Sequence, residues 1–145
     1  MFELIPYATL NARQKEIFNF QKLSATLADY GFNCIKLADD WGGADFIAYH
    51  VITTRTLKIQ LKSRISIGAK YVGKDIWVAF PHKRFWYLIE HDRLVEKIGE
   101  CTDWLRTPSW LTGNAYSSVS INPTLLNVLA ENKLGPVYGR VLETD

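Results

Sequence analysis

Apolar residues recur at intervals of three and four positions near the start of the chain. They are Ile17, Phe20, Leu23, Leu27 and Tyr30. Because residues spaced in this way share one side of an α-helix, we predict a helix over residues 12–29 with this set as its buried stripe. Asn11 is suited to the N-cap and Gly31 to the C-terminal stop, so both ends carry the expected residue types.

Short apolar runs after this helix predict β-strands. The runs cover residues 33–37, 45–52, 57–63, 76–80 and 85–89. In the third run apolar and polar residues alternate, so Lys58, Gln60 and Lys62 share the face opposite the apolar side chains. Turns are predicted at residues 39–43, at a hairpin connection over 53–55, and at residues 82–84 after a strand that Pro81 ends.

The C-terminal half carries weaker signals. Residues 65–75 are basic and contain glycine, and they predict no single element. We expect a short helix over 91–98, a structured loop over 102–120, and a last helix over 124–131 that Asn122 caps and Pro123 begins. The tail from Asn132 is expected to be loosely held. This order predicts an α/β (α+β) fold, with an N-terminal helix packed on a central mixed β-sheet with antiparallel hairpins.

The composition is that of an ordinary globular protein. The 145 residues are 48% hydrophobic and 22% charged, which fits one domain over residues 1–145 with a substantial core. The sequence has no run of about 18 apolar residues, so it predicts no membrane-spanning helix. A net charge of +2 is too small to indicate a nucleic-acid partner by itself.

The cysteine spacing and the N-terminal residues indicate the cellular location, and the histidine spacing bears on zinc binding. Cys34 and Cys101 stand far apart and form no CxxC pair, which favours a reducing, cytoplasmic location. Residues 1–10 lack a basic stretch followed by an apolar segment, so we expect no secretory signal there. The histidines have no ligand spacing with cysteine or with one another, so the sequence does not predict structural zinc.

Three polar side chains of the predicted hairpin are candidates for chemistry. Gln60 and Lys62 lie two residues apart on one strand and therefore project from the same face. Asp45 begins the preceding strand, and a hairpin closing near residues 53–55 places it across from Gln60 or Lys62. Gly42 and Gly43 precede Asp45 and would let a large ligand approach the backbone. Taken alone, Asp45 is more typical of a turn, and Gln60 and Lys62 are more typical of the solvent face of an ordinary strand.

These residues resemble a known signature. Gly43-Ala44-Asp45-Phe46 followed by Gln60-Leu61-Lys62 is similar to the motif of the PD-(D/E)XK (restriction-endonuclease-like) nuclease superfamily. Glu16 lies on the first helix, where the same families often place a glutamate. The resemblance covers about residues 11–80, the core motif region, and leaves residues 91–145 as a helical and loop extension. In detail the chain looks most similar to small restriction, homing and junction-cleaving nucleases.

The resemblance implies a metal-dependent nuclease that hydrolyses phosphodiester bonds in DNA. It assigns Mg²⁺ (or Mn²⁺) to Asp45, Gln60 and Glu16, and gives Lys62 the role of orienting water or stabilising developing charge. Gln60 stands where the motif has a second acid, so a catalytically inactive domain that binds nucleic acid or a protein partner stays open. RNA is not excluded, and cleavage of both strands of a duplex would favour a homodimer.

A basic stretch follows the motif. Arg64, Lys70 and Lys74, with Tyr71 among them, could run along a nucleic-acid backbone or form a solvated loop. Residues 68–75 nearly match a phosphate-binding P-loop. Asp75 occupies the position of the metal-binding Ser or Thr and a strand follows, so nucleotide binding is not predicted there.

Overall fold

The computed structural model describes residues 1–136. The helices are α1 (Ala12–Asp29), α2 (His91–Cys101), α3 (Pro108–Leu111) and α4 (Pro123–Val128). The strands are β1 (Phe32–Trp41), β2 (Ala44–His50), β3 (Thr56–Leu61), β4 (Ile65–Gly68), β5 (Trp77–His82), β6 (Phe85–Glu90), β7 (Ala115–Ser118) and β8 (Lys133–Pro136). Short 3-10 turns lie at Tyr7–Thr9, Ala69–Tyr71, Trp104–Arg106 and Ala130–Asn132.

Among these residues, six strands form one sheet in the order β1-β2-β3-β5-β6-β8, and β4 pairs with β7 in a small second sheet. The β3–β5 pair is parallel, whereas the other pairs of the large sheet are antiparallel. This is a mixed sheet with antiparallel hairpins behind an N-terminal helix, so the predicted fold class is confirmed. The β5–β6 hairpin turns at Lys83 and Arg84, which both have positive φ, as a tight two-residue turn requires.

Helix α1 has the predicted bounds and the predicted cap. The Asn11 side chain accepts the Gln14 N–H, and the Gln14 side chain accepts the Asn11 N–H, both at 2.9 Å. These two bonds satisfy backbone groups that the first turn of a helix leaves unpaired. Gly31 follows the helix with φ of +86°, a conformation that glycine adopts without strain.

The predicted stripe of α1 is partly wrong. Leu23 and Leu27 are fully buried, but Ile17 and Tyr30 are exposed. The helix face that meets the sheet contains two polar residues instead. Asn19 is buried because its Nδ2 donates to the Tyr7 hydroxyl at 3.1 Å, and Thr26 because its Oγ1 donates to the Pro136 carbonyl at 3.2 Å. An apolar spacing pattern cannot detect such paired polar groups.

Two strand boundaries differ from the prediction. β1 continues through Asp39 and Asp40 to Trp41, with a register shift after Lys36, so these acids belong to a strand end and not to a turn. Pro81 lies within β5, opposite Trp86, where the sequence predicted a strand end. β3 pairs with β5 only as far as Ala79, so the missing N–H of Pro81 disturbs no further ladder bond on that side.

The C-terminal extension contains strands as well as helices and loops. β7 lies in the predicted loop and pairs with β4, in the stretch that had no assignment. β8 pairs with β6, so the prediction of a loosely held tail is wrong for Lys133–Pro136. The remainder of that tail, residues 137–145, lies outside the described residues.

Two apolar cores flank the large sheet. The first lies between α1 and the sheet and includes Leu23, Phe46, Ile59 and Trp86. The second lies on the other face of β5 and β6, beneath α2 and α4, and includes Val78, Phe80 and Leu94. Side chains along β2 and β3 therefore alternate between the α1 side and the opposite side of the sheet. No helix within residues 1–136 is both long and apolar enough to cross a membrane.

Candidate functional site

Asp45 is anchored at the end of the β2–β3 ladder. Phe46 pairs with Ile59, which places Asp45 beside Gln60 one residue further along. Asp45 Oδ2 accepts the backbone N–H of Leu61 at 2.7 Å, a length typical of a charge-assisted hydrogen bond. The carboxylate thus accepts a hydrogen bond from β3 at the point where strand pairing ends, and this bond fixes the position of the Asp45 side chain.

Two of the charged groups that act on Asp45 belong to other predicted site residues, Lys62 and Glu16. Desolvation by the surrounding chain raises the pKa of the Asp45 carboxyl above its ordinary value of 3.8. The Leu61 N–H and the cations of Lys62 and Lys36 oppose this increase, whereas the neighbouring Glu16 carboxylate adds to it. The structure therefore brings Asp45, Lys62 and Glu16 within electrostatic reach of one another, although they come from three different elements.

Gln60 lies next to this group but is directed elsewhere. Its side chain is buried, with the residue only 4% exposed, and Nε2 donates to the Gly43 carbonyl at 3.1 Å. Because a carbonyl can only accept, the amide nitrogen must face Gly43, and Oε1 is the only oxygen that this side chain could offer to another group. Gln60 therefore fixes the turn before Asp45.

The space beside Gly43 is filled by the chain itself. A Cβ at this position would lie 2.5 Å from Cε1 of Tyr71, and the residue has φ of +96°. Gly42, with φ of +62°, has no atom within 4 Å of its corresponding position. Close approach of a ligand at Gly43, expected from the sequence, is therefore replaced by close approach of the Tyr71 ring, and only Gly42 faces open space.

An open pocket of about 420 Å³ lies between the N-terminal half of α1 and the ends of β1 and β2. It is lined by Arg13, Glu16, Lys36, Leu37, Ala38, Asp39, Asp40, Ala44 and Asp45. Asp45 and Glu16 thus share a solvent-accessible pocket, whereas Gln60 and Lys62 are not among its lining residues.

Four charged residues of this pocket, Arg13, Lys36, Asp39 and Asp40, are not among the site residues predicted from the sequence. Arg13 is three residues before Glu16, so helical spacing alone would have placed both on one side of α1. Lys36 pairs with Phe46, which puts it on the strand beside Asp45, but only the register reveals this. Asp39 and Asp40 line the pocket because β1 extends past them.

The residues of the Asp45 pocket offer few oxygen ligands for a divalent metal ion. Within residues 1–136, no group of three or more His, Cys, Asp and Glu side chains is placed to hold a metal ion. The pocket offers four carboxylates, and two of them, on Asp45 and Glu16, belong to the predicted site, whereas the Gln60 amide lies outside its lining. Mg²⁺ accepts such a set, since it prefers oxygen, keeps several waters and binds substrate phosphate oxygens.

A second pocket, of about 260 Å³, lies near the N-terminus of α2. Its lining includes Asp75, Glu90 and Asp92 and contains no basic residue. Asp92 already accepts the Gly73 N–H, at 3.0 Å to one oxygen and 3.3 Å to the other. This acidic surface repels a phosphodiester, so we place no phosphate chemistry there.

The predicted basic segment lies mostly at the protein surface. Arg64, Lys70 and Lys74 are exposed, while Tyr71 is half-buried against Gly43. Lys70 Nζ lies 5.0 Å from the centre of the Tyr71 ring. Lys70 and Lys74 thus contact Tyr71, which in turn contacts the turn that precedes Asp45.

The solved structures that are similar to the chain include the following two. One is Hjc, a Holliday junction resolvase from the archaeal hyperthermophile Archaeoglobus fulgidus, at 20% sequence identity, with 54% of this chain and 74% of the resolvase covered and a TM-score of 0.42. The other is the bacterial homing endonuclease I-Ssp6803I, at 12% identity, with 84% of this chain and 94% of the endonuclease covered and a TM-score of 0.48.

Both are nucleases, of the junction-cleaving and homing kinds that the sequence motif resembles. No protein-family model and no curated protein matches the chain. Because both TM-scores lie below 0.5, nothing about the fold or the site is concluded from these two likenesses.

Proposed function

We propose that the chain is a metal-dependent nuclease that hydrolyses phosphodiester bonds in DNA at the Asp45 pocket. The observation that carries this proposal is that the Asp45 and Glu16 carboxylates line one pocket, while the charge of Lys62 acts on Asp45. The desolvation of Asp45 supports it, because a carboxylate placed in such surroundings favours a nearby cation.

In this proposal Asp45 and Glu16 hold Mg²⁺ (or Mn²⁺), and Gln60 contributes its Oε1. The bound ion would supply an activated water and stabilise negative charge on the phosphate. Asp45 is oriented for this task by the Leu61 N–H, which leaves its second carboxylate oxygen for the ion. Lys62, which acts electrostatically on Asp45, orients the water or stabilises charge that develops on the phosphate oxygens.

Arg13 and Lys36 offset the negative charge of the pocket. Both line the same space as Asp45 and Glu16, and Lys36 lies on the strand next to Asp45. A phosphodiester is an anion and cannot approach four carboxylates without compensating cations. We therefore assign these two residues to holding the substrate phosphate, a contact that carries no sequence preference.

Metal titration tests the ion site without requiring activity. Mg²⁺ or Mn²⁺ should raise the melting temperature, by an amount equivalent to about 2.7 kcal/mol at a hundredfold excess over Kd. Asp45→Ala should abolish the rise, and Glu16→Ala should reduce it. Glu100→Ala, which removes an exposed carboxylate from α2, is the matched control and should leave the rise unchanged.

Cleavage assays test the reaction itself. Plasmid, linear, single-stranded and branched DNA, with an RNA strand as comparison, should be incubated with each metal. Activity that is lost in both Asp45→Ala and Lys62→Ala supports the proposal. A metal-independent melting temperature together with uncut DNA under every condition would exclude it.

One observation favours a second candidate, a nuclease-fold domain without catalysis that binds nucleic acid or a protein. Gln60 holds the position of an acid in the motif, and its amide is buried and bound to the Gly43 carbonyl. A side chain with that structural role needs no metal to explain it. DNA binding that persists in Asp45→Ala, with no cleavage under Mg²⁺ or Mn²⁺, would establish this alternative.

A further inference from the structure

Trp41 is an exposed aromatic residue immediately beside the proposed site. It ends β1, pairs with Ala44 across the Gly42–Gly43 turn, and is 56% exposed. Asp45 directly follows its pairing partner. Burying a large aromatic side chain is strongly favourable, so a half-exposed tryptophan next to a polar pocket indicates a surface that contacts something else.

Two other apolar side chains are exposed on the sheet face opposite α1. Ile35 is 54% exposed and Tyr49 is 38% exposed. Ile35 pairs with Ile47 and Asn33 with Tyr49, so Ile35 and Tyr49 form an apolar patch on one face of β1 and β2. Trp41 lies beyond a register shift in β1, and its ring reaches this face at Lys58, which pairs with Ile47. The second core covers β5 and β6, not β1 and β2, and within residues 1–136 no element buries this patch.

A lysine is built into the patch. Lys58 Nζ lies 5.4 Å from the centre of the Trp41 ring and donates to the Lys74 carbonyl at 3.3 Å. These contacts connect Trp41 to the basic segment, where Lys70 lies over Tyr71 in the same manner. Aromatic rings and cations thus follow one another from the edge of the pocket to the segment around Tyr71.

This combination matches a nucleic-acid strand better than a protein surface. A docked apolar partner would have to dehydrate Lys58, which has no carboxylate partner among the described residues. A nucleic-acid strand instead offers a base for the ring and a phosphate for the ammonium. In a continuous duplex both faces of each base are covered by neighbouring base pairs, so only an unpaired nucleotide presents a free face.

We propose that Trp41 and Lys58 form a stacking platform for an unpaired nucleotide adjacent to the Asp45 pocket. The chain then acts on nucleic acid that has a single-stranded segment next to the bond to be cleaved, and it binds continuous duplex more weakly. This assignment of a substrate class rests on the proposed function, but the platform is a binding site and can be measured without cleavage.

Binding of labelled oligonucleotides by the full-length chain provides the test. Asp45→Asn is used as the background, so that no probe is cut, and the probes are a single-stranded DNA, the same sequence as RNA, a blunt duplex and a duplex with a short single-stranded gap. Fluorescence anisotropy should show tighter binding of the single-stranded and gapped probes than of the blunt duplex. Trp41→Ala should weaken those two by about 5- to 100-fold, the range of one stacked base.

Matched variants separate stacking from general effects. Trp41→Phe should retain most of the affinity, since a smaller ring still stacks. Tyr30→Ala removes an exposed aromatic residue at the C-terminal end of α1 and should change nothing. Equal melting temperatures of Trp41→Ala and its background confirm that the fold is intact. Lys58→Ala should weaken all four probes and reduce the salt dependence of binding.

The outcomes distinguish this inference from the proposed function. Preference for unpaired probes that Trp41→Ala removes, with no cleavage by the unmodified chain under any metal, supports the platform and rejects the nuclease. Cleavage that depends on Asp45, with equal loss of duplex and single-strand affinity in Trp41→Ala, rejects the platform and keeps the nuclease. Absence of binding to every probe overturns the platform. Self-association that depends on Trp41, measured by light scattering in the absence of probe binding, overturns it as well.

Discussion

Asp45 on β2 accepts the backbone N–H of Leu61 on β3, at 2.7 Å. This bond holds a charged group at the position where the two strands stop pairing, and it keeps the carboxylate at the pocket rim. The fold thereby places a partly desolvated acid near another acid, Glu16, and the Lys62 and Lys36 cations compensate this in part. An arrangement of this kind costs stability, which the cation of the proposed function would offset.

The first prediction concerns that cost. Because the folded chain raises the pKa of Asp45 above 3.8, the folded state holds its proton more tightly than the unfolded state. The contribution of Asp45 to stability therefore falls as pH rises from about 3.8 through the folded pKa, and it stays reduced at neutral pH. Asp45→Asn keeps an acceptor for the Leu61 N–H and removes the charge, so it should raise the melting temperature at pH 7 in metal-free buffer.

Thermal unfolding at pH 7 and near pH 3 checks this expectation. The difference between Asp45→Asn and the unmodified chain should shrink at the lower pH, where the carboxyl is protonated in both states. A variant that melts below the unmodified chain at pH 7 would mean that the Lys62 and Lys36 charges outweigh desolvation, which contradicts the direction given above.

The second prediction restores the acid of the motif at position 60. In Gln60→Glu the group that faces the buried Gly43 carbonyl would be an oxygen, which cannot donate unless protonated. Leaving a buried carbonyl without its donor costs about 1–3 kcal/mol, and the added charge increases the loss. Metal-free Gln60→Glu should therefore be less stable than Gln60→Met, which loses the same bond without gaining a charge.

Urea denaturation with and without Mg²⁺ measures both effects. Under the proposed function, Gln60→Glu adds a third carboxylate near the ion, so metal should stabilise this variant more than it stabilises the unmodified chain. Equal metal-free stability of Gln60→Glu and the unmodified chain would show that the bond to Gly43 contributes nothing.

The sequence predicted correctly those features of the fold that depend on residues close together in the chain. The bounds and cap of α1, the β5–β6 turn and the opposition of Asp45 to Gln60 depend on neighbours in the chain or within one hairpin. The orientation of the Gln60 amide does not, because it depends on a carbonyl 17 residues away and on the Tyr71 ring that closes the turn. Spacing shows which face a side chain lies on, but not which partner it takes.

Pairings that are distant in sequence account for the other differences. β4 and β7 are short strands that pair across a stretch of helices and turns, and neither has an apolar alternation long enough to predict it alone. β8 is four residues long and becomes a strand only because β6 offers an unpaired edge. Asp39 and Asp40 were assigned to a turn by residue type, whereas pairing of β1 with β2 keeps the chain extended around them.

The third prediction compares the two glycines before Asp45. Both have positive φ, so alanine is strained at either position. Only at Gly43 would the added Cβ also meet the Tyr71 ring, 2.5 Å from Cε1 and 2.8 Å from Cδ1. Gly43→Ala should therefore destabilise the chain by about 1–3 kcal/mol more than Gly42→Ala, the usual cost of overpacking.

A double-mutant cycle identifies the ring as the cause. Combining Gly43→Ala with Tyr71→Ala removes the atoms that the new methyl group meets. The double variant should therefore lose less stability than the sum of the losses in the two single variants. Chemical denaturation of the four proteins provides the numbers. Strict additivity would assign the whole effect of Gly43→Ala to its φ of +96° and none to Tyr71.

The fourth prediction concerns acid stability and His91, which is buried at the start of α2. Its Nε2 lies 3.1 Å from the Gly68 nitrogen, and because a backbone N–H only donates, Nε2 must accept and carry no proton. The proton then sits on Nδ1, 3.3 Å from Asp92 Oδ1. Burial lowers the pKa of His91 below 6.5, and the Asp92 carboxylate only partly opposes this.

Since the unfolded chain protonates His91 at a higher pH than the folded chain does, stability should fall as pH drops below about 6.5. His91→Gln keeps an acceptor for the Gly68 N–H and cannot titrate, so it should flatten this part of the pH profile while leaving the carboxylate-dependent loss at lower pH. Urea denaturation from pH 8 to pH 5 gives the two curves, and their difference isolates His91 from the acids. Parallel curves over that range would mean that His91 does not control the acid limit.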